Sequence, residues 1–205
     1  DDVSKYIIST QKSGYKSTSI NRLLSSLRSF YNYLIKKDVT NNNPFELINN
    51  LKTEKRLPNY FKYSDFEEML NSLDDDKPLT LRNALIIELL LSTGLRVSEL
   101  SNIKIDDMDL KNNEIRVMGK GSKERVVYYR ESTKNKLYYY FKDGRSSLLN
   151  GKYSPYLFVN NNGGKLTDRG VRYIIEGIIK KCSINVRVTP HTFRHTFATM
   201  LLNVG

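Results

Sequence analysis

The segment Thr189-Pro190-His191-Thr192-Phe193-Arg194-His195 places both histidines of the chain beside an arginine. Thr189 suits the residue that caps a helix, and Pro190 suits the first helical position, where its missing N–H is not needed. His191 then falls in the first turn, where free backbone N–H groups favour an anion. Arg194, three residues on, shares a helix face with His191. A fixed cation beside a proton carrier fits a phosphate that gains charge during reaction. The same residues also read as a capping histidine and a surface arginine in an ion pair. His191 and His195 at helical spacing raise zinc as well. However, no glutamate follows His191, and one cysteine leaves only carboxylates to complete a site. No metal and no cofactor are expected.

Two further features carry similar chemistry. In Ser92-Thr93-Gly94-Leu95-Arg96-Val97-Ser98-Glu99-Leu100 an apolar helix ends at a glycine, and an arginine follows at the start of a new helix. The planar guanidinium fork gives a phosphate two parallel, permanently charged hydrogen bonds. Glu99 could hold that guanidinium in place; read plainly, the pair is a surface contact worth a few tenths of a kcal/mol. Lys120 lies between Gly119 and Gly121 at the tip of an expected hairpin. A mobile ammonium there could contact a base edge or protonate a leaving oxygen. It could equally be a solubilising turn lysine.

These residues need elements to hold them. From Ser17 onward Leu23, Leu24, Leu27, Tyr31, Leu34 and Ile35 recur at helical spacing, and Asn41-Asn42-Asn43-Pro44 breaks the pattern. The stretch 49–59 is polar and basic and reads as a linker. Ser64-Asp65-Phe66-Glu67 predicts a capping box that opens a helix over 66–73. The apolar run Ala84–Leu91 predicts a buried helix closed by Gly94. Ile115, Val117, Val126 and Tyr128 alternate on either side of 119–123, which predicts a hairpin. Tyr156–Val159 reads as a further short strand before the turn Asn160–Gly164, and helix returns over 167–181 and after Pro190.

Composition narrows the classes. A charge of +11 over 205 residues points to a polyanionic partner. The single Cys182 cannot form an internal disulfide, which fits a reducing compartment. No secretory leader opens the chain, and the longest apolar run is far short of the ~20 residues of a membrane span. A cytoplasmic, nucleoid-associated protein without membrane contact is expected, and Asp1 suggests a start other than the natural one.

Taken in order, T-G-L-R-V-S-E-L at 93–100, V-M-G-K-G-S-K-E-R at 117–125 and T-P-H-T-F-R-H-T-F-A-T at 189–199 resemble the tyrosine recombinase, or phage integrase, family in its Xer-like branch. The stretch 18–34 looks like a helix of the family's N-terminal DNA-clamping domain. The resemblance implies that Arg96 and Arg194 grip the scissile phosphate and that Lys120 protonates the departing oxygen. His191 assists proton transfer, and Glu99 supports Arg96. It implies a mainly α fold with a small antiparallel β-sheet (α+β): a helical, SAM-like DNA-binding domain over 1–50, a linker over 51–59 and a catalytic domain over 60–205. Around double-stranded DNA at a recombination site the two would form a clamp, with contacts from Arg22, Arg28, Lys52, Lys55, Arg56, Lys123, Arg169 and Arg172. The full-length protein is expected to assemble as a tetramer on DNA, and this chain to be monomeric without it.

The chain departs from the family pattern at one point. The family's remaining His or Trp and its nucleophilic tyrosine lie beyond H-x-x-R. Of the fourteen tyrosines here, the last is Tyr173, before that motif. The expectation is a DNA-binding chain that carries the phosphate-activating residues without the nucleophile. It would also lack the first helix of the N-terminal domain and the last helices of the catalytic one. Two rivals stand beside it. A metal-dependent nuclease would use Asp106, Asp107 and Asp109, or Asp74 to Asp76. A DNA-binding regulatory module would show no cleavage at all.

Overall fold

Pro78 opens a helix that has no polar face. The computed structural model describes residues 2–53, 62–73, 76–119, 121, 123–182, 184, 192–194 and 196–199. They fall into two compact units, 1–58 and 59–205. In the second unit, helix α4 (Pro78–Thr93) buries Leu85, Ile86, Ile87, Leu89 and Leu90 completely. A helix that is apolar all round must sit inside the fold, and each such side chain contributes roughly 1.5–3 kcal/mol. Around it pack α3 (Tyr63–Asn71), α5 (Val97–Asn102), α6 (Glu131–Tyr139), α7 (Ser146–Leu149) and α8 (Asp168–Lys181). Thr167 caps α8 by accepting the Gly170 N–H at 3.2 Å. On α8, Val171, Ile175 and Ile178 face the core. No described helix is long and apolar enough to cross a membrane.

Strands β1 (Met108–Asp109), β2 (Glu114–Met118) and β3 (Glu124–Tyr128) form one antiparallel sheet in the order β1-β2-β3. The predicted hairpin is present, and its pairing decides which of the alternating residues face inward. Ile115 pairs with Val127 and Val117 with Arg125, and paired residues share a face. Val126 and Tyr128 therefore point outward, 42% and 66% exposed, and Arg125 takes a place beside the core.

Two other expectations are corrected. Helix α3 begins at Tyr63 rather than Phe66, because the Asp65 carboxylate accepts the Lys62 backbone N–H at 2.9 Å. Asp65 is thus the third helical residue, not the second residue of a box capped by Ser64. Residues 156–159 form no strand; they make only isolated bridges, Lys104 with Tyr156 and Val159 with Lys165. Side chains take the carbonyls that a neighbouring strand would have used. Arg145 donates to Ser154, Tyr156 and Leu157 at 2.7–3.3 Å, Tyr140 to Leu157 at 3.1 Å and Arg82 to Val159 at 3.0 Å. A single wide π-helical turn, Tyr140–Arg145, aims both Tyr140 and Arg145 inward. Gly144 allows the turn to close, since a Cβ there would lie 2.8 Å from Tyr140 Cδ2. Burial lowers the pKa of Arg82 and Arg145, an effect Tyr140 opposes. Burial also lifts the Tyr140 hydroxyl to about 12 against the pull of the Val159 N–H and both arginines.

In the first unit, α1 (Asp2–Lys12) and α2 (Ser17–Lys36) enclose Ile7, Ile20, Leu24 and Phe45. Asn43 is buried at the predicted turn. Its amide donates to Asn32 Oδ1 at 2.7 Å and to the Arg28 carbonyl at 3.2 Å, while its Oδ1 accepts the Phe45 N–H. Asn21 fastens Leu51 through both its backbone groups, at 2.7 and 2.9 Å. Leu51, read as the start of the linker, is thereby tied to α2.

Candidate active site

The end of α4 sets the site. Gly94 adopts φ +61°, a left-handed conformation that terminates the helix while its N–H returns to the Leu90 carbonyl at 3.2 Å. The turn sends Leu95 into the core, 0% exposed, and Arg96 outward. Arg96 is the residue before the first turn of α5, and its backbone N–H donates to Glu99 Oε2 at 2.7 Å. Its Nη1 donates to Glu99 Oε1 at 2.8 Å. The Arg96 side chain keeps 46% exposure and Glu99 only 4%. The carboxylate is a buried anchor, and the guanidinium is the part that meets solvent. A weak surface pair does not describe this geometry.

Arg194 arrives from a helical segment a hundred residues further on, and its Nη1 donates to the Gly94 carbonyl at 3.4 Å. Phe193 beside it is fully buried. Phe197, one turn later, packs against Gly94, so closely that a Cβ on residue 94 would sit 2.9 Å from its Cε1. A cavity of about 550 Å³ opens here, lined by Thr93, Gly94, Arg125, Tyr128, Arg194 and Phe197 among others. The buried Ser92 hydroxyl, also on its wall, has no hydrogen-bond partner.

Arg125 received no role from sequence, yet it is the third cation of the cluster. Its Nη1 and Nη2 donate to Glu99 Oε1 and Oε2, both at 2.9 Å. Burial alone would raise the Glu99 carboxyl. The Arg125 hydrogen bonds, then those from the Arg96 backbone and side chain, outweigh it and hold the group at about 2. The same bonds raise Arg125 above the ordinary arginine range. The available signal was the register of the hairpin, which places residue 125 opposite Val117 on the inner face.

The other predicted residues divide into three groups. Lys120 and His191, with Lys55, Arg56 and His195, lie outside the described residues. Arg22, Lys52, Lys123, Arg169 and Arg172 are exposed, the last two on the outer face of α8. Arg28 turns inward instead. It donates to the carbonyls of Phe45 (3.0 Å) and Ile48 and to Asn50 Oδ1 (3.2 Å), holding α2 to the segment after it. Of the carboxylates of the nuclease rival, Asp107 and Asp109 are occupied with local turns, and Asp74 and Asp75 lie outside the described residues. Asp107 accepts the Lys104 N–H at 2.8 Å, and Asp109 accepts from Lys111 and Asn112.

Comparison with known proteins places this geometry. Residues 59–205 match the phage integrase family, and residues 1–38 match the N-terminal SAM-like domain of phage integrase. Over 206 residues the chain is 38% identical to the tyrosine recombinase XerC of Bacillus subtilis (strain 168), covering 100% of this chain and 68% of that protein. It is 40% identical to the XerC of Bacillus pumilus over 207 residues, with the same coverage. Among solved structures it resembles the XerA recombinase with a TM-score of 0.65 and 30% identity, covering 100% of this chain and 69% of that one. The XerH recombinase bound to a palindromic difH substrate shares the fold with a TM-score of 0.78 at 23% identity, covering 98% and 61%. An arginine-bearing turn after a buried helix, a second arginine brought back to it and similarity along the whole length agree on one assignment. The chain belongs to the phage integrase family, the tyrosine recombinases.

Proposed function

We propose that this chain supplies the phosphate-gripping part of a site-specific DNA recombination reaction in which strands are cut and rejoined through a 3′-phosphotyrosine link. One observation carries the reading: Arg194 reaches back across a hundred residues to the Gly94 carbonyl, beside the turn that presents Arg96. Attack on a phosphodiester loads extra negative charge onto the non-bridging oxygens of a five-coordinate transition state. Two arginines, one fixed on Glu99 and the other on Gly94, can stabilise that charge through preorganised N–H donors. Lys120 and His191 serve as proton carriers to the departing oxygen and from the nucleophile. The nucleophile is a tyrosine other than the fourteen of this sequence. Its phosphodiester to DNA keeps the bond energy needed for rejoining, so strands exchange without ATP. The exposed cations Arg22, Lys52, Lys123, Arg169 and Arg172 track the DNA backbone as parts of a clamp. The full-length protein works as a tetramer assembled on DNA, in chromosome-dimer resolution or in integration and excision of a mobile element.

The test uses the full-length encoded protein and a duplex selected from a random pool by binding, then nicked so that cleavage traps the product. Expected is a detergent-stable protein–DNA adduct through tyrosine that forms in EDTA, with affinity falling steeply as salt rises. Cleavage that requires a divalent ion and leaves no adduct would favour the nuclease rival. Tight binding with no adduct would make the protein a regulatory module.

A further inference from the structure

We infer that Arg125 is a positioning residue for this reaction, which fixes how much of Glu99 is left for Arg96 and therefore which edge of the Arg96 guanidinium faces the phosphate. The inference rests on the phosphate-gripping role proposed above for Arg96.

The case begins with acceptor capacity. An ionised carboxylate offers about four lone-pair sites, and Glu99 has all of them engaged. Oε1 accepts from Arg96 Nη1 (2.8 Å) and Arg125 Nη1 (2.9 Å), and Oε2 accepts from the Arg96 backbone N–H (2.7 Å) and Arg125 Nη2 (2.9 Å). Arg125 holds the bidentate position, so Arg96 is left with one side-chain bond and a partly exposed outer edge. Take Arg125 away and that position falls vacant. The preferred geometry of an arginine with a carboxylate is two parallel bonds, and Arg96 is the cation nearest to claim them. Doing so would rotate its fork toward Glu99 and away from the solvent side. The charge balance points the same way. Two arginines on one carboxylate leave a net positive charge at the site, whereas a closed Arg96–Glu99 pair leaves none.

Arg125 also ties two elements together. It stands on β3, in the hairpin that β2 and β3 form, and reaches Glu99 on α5 across 26 residues. Gly119, before the tip, lies against its guanidinium; a Cβ there would stand 3.3 Å from Arg125 Nη1 and 3.2 Å from the Lys123 carbonyl. The other charged groups around Glu99 leave this arrangement alone. In the cavity beside it, Asp107 accepts the Lys104 N–H, Arg116 donates to the Asp106 carbonyl, and Glu124 follows the hairpin tip.

The experiment compares the full-length protein with Arg125→Gln and Arg125→Lys, following single-turnover adduct formation at saturating DNA and DNA affinity in parallel from pH 5 to 8. Arg125→Gln should slow adduct formation on the order of 100-fold, the cost of a small misplacement at a reacting centre. DNA affinity should change by less than about threefold, because the lost interaction belongs to the transition state. Arg125→Lys, with charge but no fork, should recover only part of the rate. The Arg125→Gln defect should stay nearly level from pH 5 to 8, because Glu99 remains mostly ionised across that range even if its pKa returns to the ordinary ~4.3. A wild-type rate for Arg125→Gln at every pH, or a loss confined to DNA affinity, would overturn the inference and leave the recombinase reading intact. An unaltered protein that forms no adduct would overturn both. A measurement that needs no variant is the carbon-13 titration of the Glu99 carboxyl in this chain. It should stay ionised well below ~4.3, and a midpoint in the ordinary range would show that the shared fork does not exist.

Discussion

Replacing Gly94 with alanine tests the turn that presents Arg96 and receives Arg194. Gly94 sits at φ +61°, and a left-handed residue with a Cβ costs roughly 1–2 kcal/mol. The new methyl would also meet the Phe197 ring at Cδ1, Cε1 and Cγ. Overpacking of this kind typically costs about 1–3 kcal/mol. The two effects are independent in origin, so Gly94→Ala should destabilise the protein by about 2–5 kcal/mol, a large share of a typical domain's stability. Urea unfolding reads this directly as a lower midpoint at constant slope. Adding Phe197→Leu should return the packing part and leave the backbone part. A change below about 0.5 kcal/mol in the single variant would mean that neither the left-handed turn nor the ring contact exists as described. So would a double variant no better than the single one.

Arg145→Met should cost about 3 kcal/mol or more, because it leaves the carbonyls of Ser154 and Tyr156 without their side-chain donor and Leu157 with that of Tyr140 alone. Amide exchange across 154–159 should quicken in the same variant, and unchanged exchange would contradict the role given to Arg145. Glu99 predicts a pH dependence whose sign follows from its depressed pKa. Its folded value of about 2 lies below the ordinary ~4.3. Its contribution is therefore complete above ~4.3 and is lost as pH falls through the folded value, on the order of 3 kcal/mol in all. Acid unfolding curves of the wild type and Glu99→Gln should be far apart at neutral pH and converge near the acid end; parallel curves would argue against the shift. Arg28→Ala should lower the stability of the first unit by about 1–3 kcal/mol through its lost carbonyl contacts. An effect on DNA affinity alone would restore Arg28 to the DNA-contact set.

Sequence and structure agree where the determinants are local. The buried helix closed by Gly94, the helix expected over 167–181 and the hairpin around 119–123 all follow from neighbouring residues, and all are present. Disagreements arise where partners are distant. Val126 and Tyr128 alternate as well as Arg125 and Val127 do, and only the pairing with β2 decides which pair faces inward. Residues 156–159 have the composition of a strand, but Arg82, Tyr140 and Arg145 satisfy their carbonyls from 11 to 77 residues away. No periodicity announces the π-helical turn that aims two of those side chains. The site divides in the same way. Arg96 and Glu99 are neighbours on one helical turn and were legible together. Arg125 is one of several basic residues in a hairpin, and its partnership with Glu99 is visible only once β3 is placed.

The most direct test of the central claim is Arg194→Ala in the full-length protein, with adduct formation and DNA affinity measured on the same nicked duplex. If Arg194 stabilises the charged transition state, adduct formation should fall on the order of 10²–10³-fold. Affinity should lose no more than one phosphate contact, seen as a salt slope shallower by about one. Equal losses in cleavage and binding, or cleavage at the wild-type rate, would contradict the account.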